Sequence, residues 1–246
     1  MKIIPLSEGS FTVDKTKIFV PFDQAKDTLH KRTTGSLLVE VQPFLVITSY
    51  DILLIDTGLG FRKNGILQLH YNLQLNGILP QSITKVLMSH LHKDHAGGIS
   101  FRDNIGNYQL SFPHATYYVQ EKEYQYAKEI GYPSYMTDEL AVLENNSNVV
   151  WLHDNGIIDN YIHYQITGAH SPFHQVFWIE EKGQKIFFGA DDAPQLQQMK
   201  NRFIAKYDYD GKKCMELRQQ WWQQGKQENW TFLFYHDIQT PIYIEQ

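Results

Sequence analysis

The sequence has little cysteine, no surplus of positive charge and no long hydrophobic run. Its one cysteine, Cys214, excludes an internal disulfide and a structural zinc site built from several thiolates. The formal net charge of -5 at pH 7 disfavours binding of nucleic acid through a general basic surface. No apolar stretch reaches the roughly 18 residues of a membrane-spanning helix, and Pro5 interrupts the N-terminus before a secretory segment develops. We therefore expect a soluble, cytoplasmic protein with no membrane or nucleic-acid partner.

The pattern of apolar residues predicts a layered α/β protein. The 246 residues carry no repeat or linker-like tract, so we predict one domain over residues 1–246. Runs rich in β-branched residues predict strands at residues 37–41, 44–48 and 52–55, which we expect to form one antiparallel meander. A hairpin is predicted at residues 175–188, and helices at residues 121–130, 138–144 and 212–224. Strands in two clusters with helices between them favour a layered α/β fold.

The most distinctive segment of the sequence is a short one in which potential metal ligands are concentrated. Residues 90–95 read His-Leu-His-Lys-Asp-His. Neutral imidazole and carboxylate are ligands for zinc, and also for iron or manganese. His90 and His92 cannot share one face of a helix, so we expect this segment to be a loop that follows a strand. An N/O site with room for water, of the catalytic kind, is predicted here.

Several apolar strands end at a potential ligand. Residues 85–89, 164–167, 186–189 and 231–235 lead to His90, His170, Asp191 and His236, respectively. A rigid scaffold presents reactive groups in this way, on loops above a core. The pattern therefore predicts that these side chains converge. One ion would take His90, His92 and a remote histidine, and a second would take Asp94, His95 and another. A bridging carboxylate would hold the two ions about 3.5–4 Å apart.

The same motifs, in the same order, resemble those of the metallo-β-lactamase superfamily of metal-dependent hydrolases. The hexapeptide and the small residues after it match the His-x-His-x-Asp-His signature. The further matches are Asp56-Thr57-Gly58 to Asp-x-Gly, residues 168–174 to Gly-His-Thr-Pro-Gly-His, Gly189-Ala190-Asp191 to Gly-Asp, and His236 to the final histidine. The resemblance extends from about residue 37 to residue 237 and is specific to this superfamily.

The resemblance implies a fold, a metal centre and a reaction. The fold would be a four-layer αββα sandwich with the site at one edge. Two divalent ions, zinc before manganese or iron, would be held by His90, His92 and His170 and by Asp94, His95 and His236, with Asp191 bridging. Asp94 and Asp191 would be the catalytic carboxylates, and Asp56 would hydrogen-bond to a ligand or its loop. A bridging hydroxide would attack an acyl or phosphoryl centre, so no serine or cysteine nucleophile would be needed.

Two of these positions have a neighbour of the same type. His174 could be the ligand in place of His170, in which case His170 would be a loop residue. Asp192 could bridge in place of Asp191, because the two carboxylates are adjacent. Asp56 also belongs to a sequence that is ordinary in turns.

The spacing between the predicted ligands resembles the quorum-quenching lactonase branch, so the expected substrate is a small lactone or another carboxylic ester. Those lactonases commonly have a tyrosine three residues after the bridging aspartate, whereas this chain has Pro194. Tyr207, Tyr209 and Tyr235 are the candidates to replace that phenol. The segment of residues 59–79 is long and partly apolar, which favours a wall of an apolar cleft; an ordinary helix or a contact in a homodimer is the alternative.

Other functions remain open at this point. A glyoxalase II-like thioesterase and a phosphodiesterase would use the same ligands, although only ten residues follow His236, where that thioesterase branch usually has a helical domain. An iron-dependent oxidoreductase and a non-catalytic metal-binding protein are alternatives of other classes. The metal content and the substrates that are turned over distinguish all of them.

Overall fold

Strands dominate residues 1–244, which are the residues that a computed structural model of the chain describes. In chain order the strands are β1 Lys2–Pro5, β2 Gly9–Val13, β3 Phe19–Pro21, β4 Leu37–Val41, β5 Phe44–Ile47, β6 Ile52–Ile55, β7 Arg62–Lys63, β8 Ile66–Leu67, β9 Lys85–Leu87, β10 Ser100–Arg102, β11 Tyr108–Leu110, β12 Thr116–Gln120, β13 Val149–Leu152, β14 Gly156–Ile158, β15 Ile162–Ile166, β16 Gln175–Glu181, β17 Gln184–Phe188, β18 Thr231–Leu233 and β19 Ile242–Ile244. The helices are α1 Gln68–Leu75, α2 Lys93–Ala96, α3 Glu121–Ile130, α4 Thr137–Leu140, α5 Leu196–Lys200 and α6 Gly211–Gln227.

Two six-stranded sheets form the centre of the molecule. The first has the order β1-β5-β6-β9-β12-β13 and the second has the order β14-β15-β16-β17-β18-β19. A three-stranded sheet, β3-β2-β4, and two short hairpins, β7-β8 and β10-β11, lie outside them. The predicted hairpin at residues 175–188 is confirmed, because β16 pairs with β17 antiparallel.

The alternation of side chains along the strands divides the apolar residues into three clusters. In β5, Leu45 packs in one cluster and Val46 in the next; in β17, Phe188 and Phe187 divide in the same way. The cluster with Val46 and Phe188 draws residues from both sheets. The two outer clusters include residues of α1 and α3 on one side and Trp221 of α6 on the other. Three apolar interfaces separate four layers, so the predicted αββα sandwich is confirmed.

The predicted meander of three strands is wrong in its first member. β5 and β6 do form an antiparallel pair, but β4 pairs with β2 in the separate three-stranded sheet. The other edge of β5 is taken by β1. The chain passes from the three-stranded sheet into the first sheet at Gln42, whose side-chain amide donates to the carbonyl oxygens of Phe234 and Asp237, both at 2.8 Å. Sequence pattern indicates a strand, whereas its partner is decided by the contacts available after the turn.

The predicted helices lie where expected. The helix predicted at residues 121–130 matches α3, and the one predicted at residues 212–224 lies within α6. The segment 138–144 divides into α4 and a 3-10 turn, Ala141–Leu143. Among residues 1–244, no helix combines the length and the apolar character needed to cross a bilayer.

Parallel pairing brings the functional strand ends to one edge. β6 runs parallel to β9 in the first sheet, and β17 runs parallel to β18 in the second. Parallel neighbours end on the same side, so the residues that follow them meet there. Asp56 and His90 follow the first pair, and Asp191 and His236 follow the second. The sheet order therefore delivers the candidate ligands to one end of the sandwich.

Glu8 is a buried carboxylate beside the loop that follows β6. Only 5% of the residue is exposed, and Oε2 accepts a hydrogen bond from the Leu59 backbone N–H at 2.6 Å. Oε1 has no hydrogen-bond partner in the described chain. Burial raises the pKa of Glu8 from 4.5 to about 8. Gly58 faces it with φ +76°, and a Cβ there would lie 2.4 Å from Oε2, so the close approach requires glycine.

We expect Glu8 to make the folded state less stable as the pH rises. Its pKa is higher in the folded chain than in the unfolded one, so the folded state binds the extra proton between pH 4.5 and pH 8. The free energy of unfolding should fall across that interval by up to about 1.4 kcal/mol per pH unit from this group, and level off above it. Urea unfolding of the wild type and Glu8→Gln at several pH values measures the difference. Identical pH slopes in the two proteins would contradict this assignment.

Candidate metal centre

The first group of candidate ligands consists of His90, His92, His170 and Asp191, whose ligand atoms lie within 4.8 Å of one another. The Nδ1 atom of His92 lies 2.9 Å from Nε2 of His90 and 3.2 Å from Nε2 of His170. His90 and His92 lie in the loop after β9, as predicted, while His170 comes from the loop between β15 and β16. Three imidazole nitrogens from the two sheets thus point at one position.

Asp94, His95 and His236 form the second group, again with ligand atoms within 4.8 Å of one another. Asp94 and His95 lie in α2, the single helical turn that follows the loop. Oδ2 of Asp94 lies 3.5 Å from Nε2 of His236 and 3.9 Å from Nε2 of His95. The segment 90–95 was predicted as a loop, but it is helical from Lys93 onward, and this turn directs Asp94 and His95 to a second position.

Asp191 lies between the two groups. Its Oδ1 atom is 3.0 Å from Nε2 of His95 and 3.0 Å from Nε2 of His236. Its Oδ2 atom is 3.2 Å from Nε2 of His170 and 4.0 Å from Nε2 of His90. One carboxylate therefore presents one oxygen to each group, which is the position that a bridging ligand needs.

The chemistry of this donor set fits metal ions. The Nε2 atom of His95 and Oδ1 of Asp191 lie 3.0 Å apart, but both are buried without a partner of good hydrogen-bond geometry, although buried polar atoms normally have one. In the first group, imidazole nitrogens face one another at hydrogen-bond distance. Lone pairs and acceptor oxygens that converge on one point are satisfied together by a cation.

The electrostatics of the two groups agree with this. Burial, and then the neighbouring imidazoles, hold the pKa values of His90 and His92 well below the ordinary value, so both rings are neutral near pH 7. Burial opposes ionisation of Asp191, but His95, His236 and His170 hold its pKa well below the usual range. Burial lowers the pKa values of His95, His170 and His236, but the charge of Asp191 outweighs burial and the net shift of all three is upward. The centre thus favours positive charge beside Asp191, and a metal ion would replace the protons of these three rings.

Four of the five histidines in the ligand groups have a polar partner at the ring nitrogen that does not face the metal position, and this partner orients the ring. The Nδ1 atoms of His95 and His170 lie 2.8 Å from Asp56 and 2.9 Å from Asp208, respectively. Ser89 Oγ lies 3.0 Å from Nδ1 of His90, and the carbonyl oxygen of Glu40 lies 2.6 Å from Nδ1 of His236. Asp56 also accepts from the backbone N–H and hydroxyl of Ser89. Such partners fix the tautomer and direction of a ligating ring, and their loss commonly costs about 10–100-fold in metal affinity.

A match to a family profile identifies the chain. The profile described as "Metallo-beta-lactamase superfamily" matches residues 40–221. The chain belongs to the metallo-β-lactamase superfamily. The resemblance stated from the motifs is thus confirmed, and the four-layer sandwich is the metallo-β-lactamase fold. The two ligand groups therefore lie in a chain of this superfamily.

Curated relatives of this superfamily member include lactonases. The N-acyl homoserine lactonase AttM of Azorhizobium caulinodans is 30% identical over 115 residues, which are 42% of this chain and 38% of that protein. The protein of the same name from Agrobacterium fabrum is 29% identical over 129 residues, 48% of this chain and 43% of that protein. The chain thus matches about two fifths of the length of these relatives.

Solved structures agree with the metallo-β-lactamase fold over nearly the whole chain. A probable metal-dependent hydrolase from Staphylococcus aureus superimposes with a TM-score of 0.79 at 21% identity, covering 99% of this chain and 91% of that one. The dizinc quorum-quenching lactonase AidC, in complex with a product, gives a TM-score of 0.73 at 18% identity, covering 98% and 89%. At identities this low, the superpositions establish the shared fold alone.

The alternatives His174 and Asp192 lie beside the metallo-β-lactamase centre but outside both ligand groups. Nδ1 of His174 lies 3.1 Å from Oδ2 of Asp192. Oδ1 of Asp192 accepts a hydrogen bond from the backbone N–H of His170 at 2.8 Å. Both side chains are fully buried. This geometry gives them a supporting part, in which Asp192 ties the His170 loop to the end of β17.

A pocket of about 720 Å³ opens over the two ligand groups of this superfamily member. Residues 13–39 contribute one wall and residues 203–207 the opposite wall. The prediction that residues 59–79 form a wall is wrong, because none of them lines this pocket. Leu69 and Leu73 of α1 instead pack in the outer cluster of the first sheet, and Phe61 packs on Phe11 with ring centroids 5.3 Å apart. Leu67, Leu69 and Leu73 thus serve the core, whereas Ile66, Tyr71 and Leu75 are exposed, and the segment is an ordinary helix with its flanks.

Sequence reasoning missed two carboxylates that hold the centre of this metallo-β-lactamase fold. Asp208, in a run of tyrosines and aspartates, gave no spacing signal that links it to His170. Glu123, on α3, accepts from the backbone N–H of Leu91 at 3.1 Å and from the hydroxyl of Ser171 at 3.1 Å. It thus joins the loop of His90 and His92 to the loop of His170. A buried position for a glutamate on an amphipathic helix was the one available signal, since such a charge requires partners.

Proposed function

We propose that this protein hydrolyses lactones or other carboxylic esters at a centre of two divalent metal ions, with zinc as the first candidate and manganese or iron as alternatives. His90, His92 and His170 would hold one ion. Asp94, His95 and His236 would hold the other, with Asp191 shared between them. The lactonase names of the relatives AttM and AidC support the choice of substrate.

The observation that carries the proposal is the position of Asp191, whose two oxygens face the two ligand groups. When bound, two such ions acidify water and polarise a carbonyl group, which is the chemistry that ester hydrolysis requires. The chain contributes by holding the ligating side chains in fixed, buried positions. Asp56 and Asp208 fix the imidazoles of His95 and His170.

Shape and composition of the pocket suit a small acyl substrate. Its volume of about 720 Å³ lies within the usual range for small-molecule sites. Phe19, Leu37 and Val39 on one wall, with Phe203 and Ile204 on the other, provide apolar surface above the ligands. An acyl chain would lie between these walls, with its carbonyl carbon at the floor.

Tyr207 is the side chain best placed to polarise the substrate carbonyl in the absence of a tyrosine at position 194. It lines the pocket, with its ring centroid 6.2 Å from that of His170. Partial burial raises the pKa of Tyr207 to about 12, so its hydroxyl keeps a proton to donate. The hydroxyl of Tyr235 already donates to the Asp94 carbonyl at 2.6 Å, and Tyr209 is 70% exposed.

We expect Tyr207→Phe to lower kcat on a lactone or ester about tenfold or more, because a hydrogen bond to the developing oxyanion is lost. Steady-state kinetics at constant metal content measure the change. Tyr209→Phe is the matched control, since it removes a nearby phenol that does not line the pocket. Equal kcat values for Tyr207→Phe and the wild type would remove Tyr207 from the reaction.

The proposed function is tested by its metal and its substrates together. The protein is purified without added metal, and its metals are measured by elemental analysis. Turnover is then assayed on matched panels of lactones, carboxylic esters, thioesters and phosphodiesters. Two zinc or manganese ions per chain with highest kcat/KM on lactones or esters is the expected result. One redox-active iron, preference for thioesters or phosphodiesters, or full occupancy without turnover would each overturn it.

A further inference from the structure

The pocket over the ligand groups is lined by four lysines. Lys15 and Lys17 lie in the connection between β2 and β3, Lys206 lies on the opposite wall, and Lys93 lies between His92 and Asp94 at the floor. All four cations therefore line one pocket. The protein as a whole has a formal net charge of -5, so this concentration of positive charge is a local feature.

These four lysines lack acidic partners. Within residues 1–244, none of their ammonium groups lies within 4 Å of a carboxylate, whereas Lys26, Lys85 and Lys185 each form such an ion pair. Lys93 instead lies over the ring of Phe19, with Nζ 5.8 Å from the centroid. That contact holds its charge inside the pocket.

The acidic residues of the pocket offset this charge only in part, through attraction between Asp94 and Lys93 and between Asp14 and Lys15 without a direct ion pair. Asp94 and Asp191 belong to the two ligand groups, so their charge faces the metal positions. Asp14 is the other acidic side chain in the lining, and its Oδ1 accepts from the backbone N–H of Thr16 at 2.9 Å. Like charges that share a partly enclosed pocket repel one another, and an anionic ligand would relieve that repulsion.

The structure assigns this pocket to acyl substrates that carry a fixed negative charge, a carboxylate or a phosphate, with Lys17 and Lys93 as its binding residues. This inference rests on the proposed function and narrows its substrate class. Neutral acyl lactones would use the apolar walls but leave the lysines without a partner. A substrate with an anionic group a few bonds from its reacting carbonyl would place its acyl chain against the apolar walls and its anion against the lysines. The positive charge at the opening would also attract it from solution.

The test compares esters that differ only in charge. The 4-nitrophenyl monoester of adipic acid has a free carboxylate, and its methyl ester is the neutral match; a third 4-nitrophenyl ester carries a terminal phosphate. We expect the metal-loaded wild type to prefer a charged ester over the neutral one in kcat/KM by about tenfold. Preference for the carboxylate or for the phosphate identifies the anion. Equal kcat/KM on all three esters would overturn the inference.

Lysine variants attribute that preference to the pocket. Lys17→Met keeps an unbranched side chain at the φ of 59° and should reduce the preference about fivefold. Lys26→Met is the control, because Lys26 is exposed, pairs with Asp23 and does not line the pocket. Lys93→Met is assayed after its metal content is shown to match the wild type. A preference that stays at the wild-type level in both pocket variants would contradict the assignment.

Two further measurements separate this inference from the proposed hydrolysis. Raising the ionic strength from about 0.01 M to about 1 M should lower kcat/KM for charged esters more than for the neutral one, since the screening length falls from about 30 Å to about 3 Å. If neither these esters nor any lactone is turned over, the proposed function fails, and calorimetry with hexyl phosphate and hexanol still tests the lysines. Binding of hexyl phosphate that weakens in Lys17→Met supports their part; equal binding in both proteins refutes it.

Discussion

Replacing Asp191 by asparagine should remove at least one of the two proposed metal ions and reduce kcat/KM by about a thousandfold or more. The amide offers one neutral oxygen where the carboxylate presents two charged ones, at 3.0 Å from His95 and His236 and at 3.2 Å from His170. Metal-assisted polarisation contributes several kcal/mol to such reactions, which corresponds to this factor. Elemental analysis and steady-state kinetics of the same preparation measure both effects. His92→Ala should behave similarly, because it removes the nitrogen that meets His90 and His170.

Asp192→Asn is the matched control for this prediction. Asp192 is the adjacent carboxylate, but it is fully buried against the backbone N–H of His170 and the ring of His174. Its amide variant should keep most of the metal and lose about 1–3 kcal/mol of stability, the usual cost of a disturbed buried polar group. If Asp192→Asn loses the metal and Asp191→Asn keeps it, the bridging position belongs to Asp192.

Removing the metal should lower the thermal midpoint of unfolding by about 10 °C. A ligand at about 1,000 times its dissociation constant stabilises the folded state by about 4 kcal/mol, and 1 kcal/mol shifts the midpoint by about 2–4 °C in a chain of this size. The apo centre also leaves the Nε2 of His95 and the Oδ1 of Asp191 buried without partners of good hydrogen-bond geometry. Calorimetric scans before chelation, after chelation and after zinc is restored measure the loss and its recovery.

The combined variant His92→Ala/His236→Ala controls for direct effects of the chelator. Each substitution removes one ligand from a different group. Its midpoint should already be low and should not respond to chelation or to zinc. An unchanged midpoint in the chelated wild type, with loss of metal verified, would show that the centre does not support the fold.

The local elements and the ligands were predictable for different reasons. Residues 121–130 form α3 as predicted, because helical periodicity is a property of neighbouring residues. The residues of both ligand groups were named from motif spacing, and the parallel strand pairs then brought them together. The strand at residues 37–41 was also predicted, but its partner β2 was not, since pairing depends on which edges remain free.

Residues that act through space were the ones that sequence could not supply. Asp208 meets His170 across 38 positions of the chain, and Glu123 meets Leu91 across 32, with no repeat or motif to connect them. The pocket walls have the same origin: the connection at residues 14–18 and the segment 203–207 face each other only after the sheets have packed. The wall at residues 59–79 was predicted from the length and apolar content of the segment. Neither property indicates which way its side chains point.

The two ligand groups also connect distant parts of a chain that has only one cysteine. His90 and His92 follow a strand of the first sheet, whereas His170, Asp191 and His236 come from the second. In the proposed function, each ion would close a loop between distant parts of one chain. Closing a loop of that length removes conformational entropy from the unfolded chain, which is what a disulfide does in the chain-entropy account. With Cys214 as its only cysteine, this chain would obtain its long-range cross-links from imidazole and carboxylate, and would lose them to a chelator rather than to a reductant.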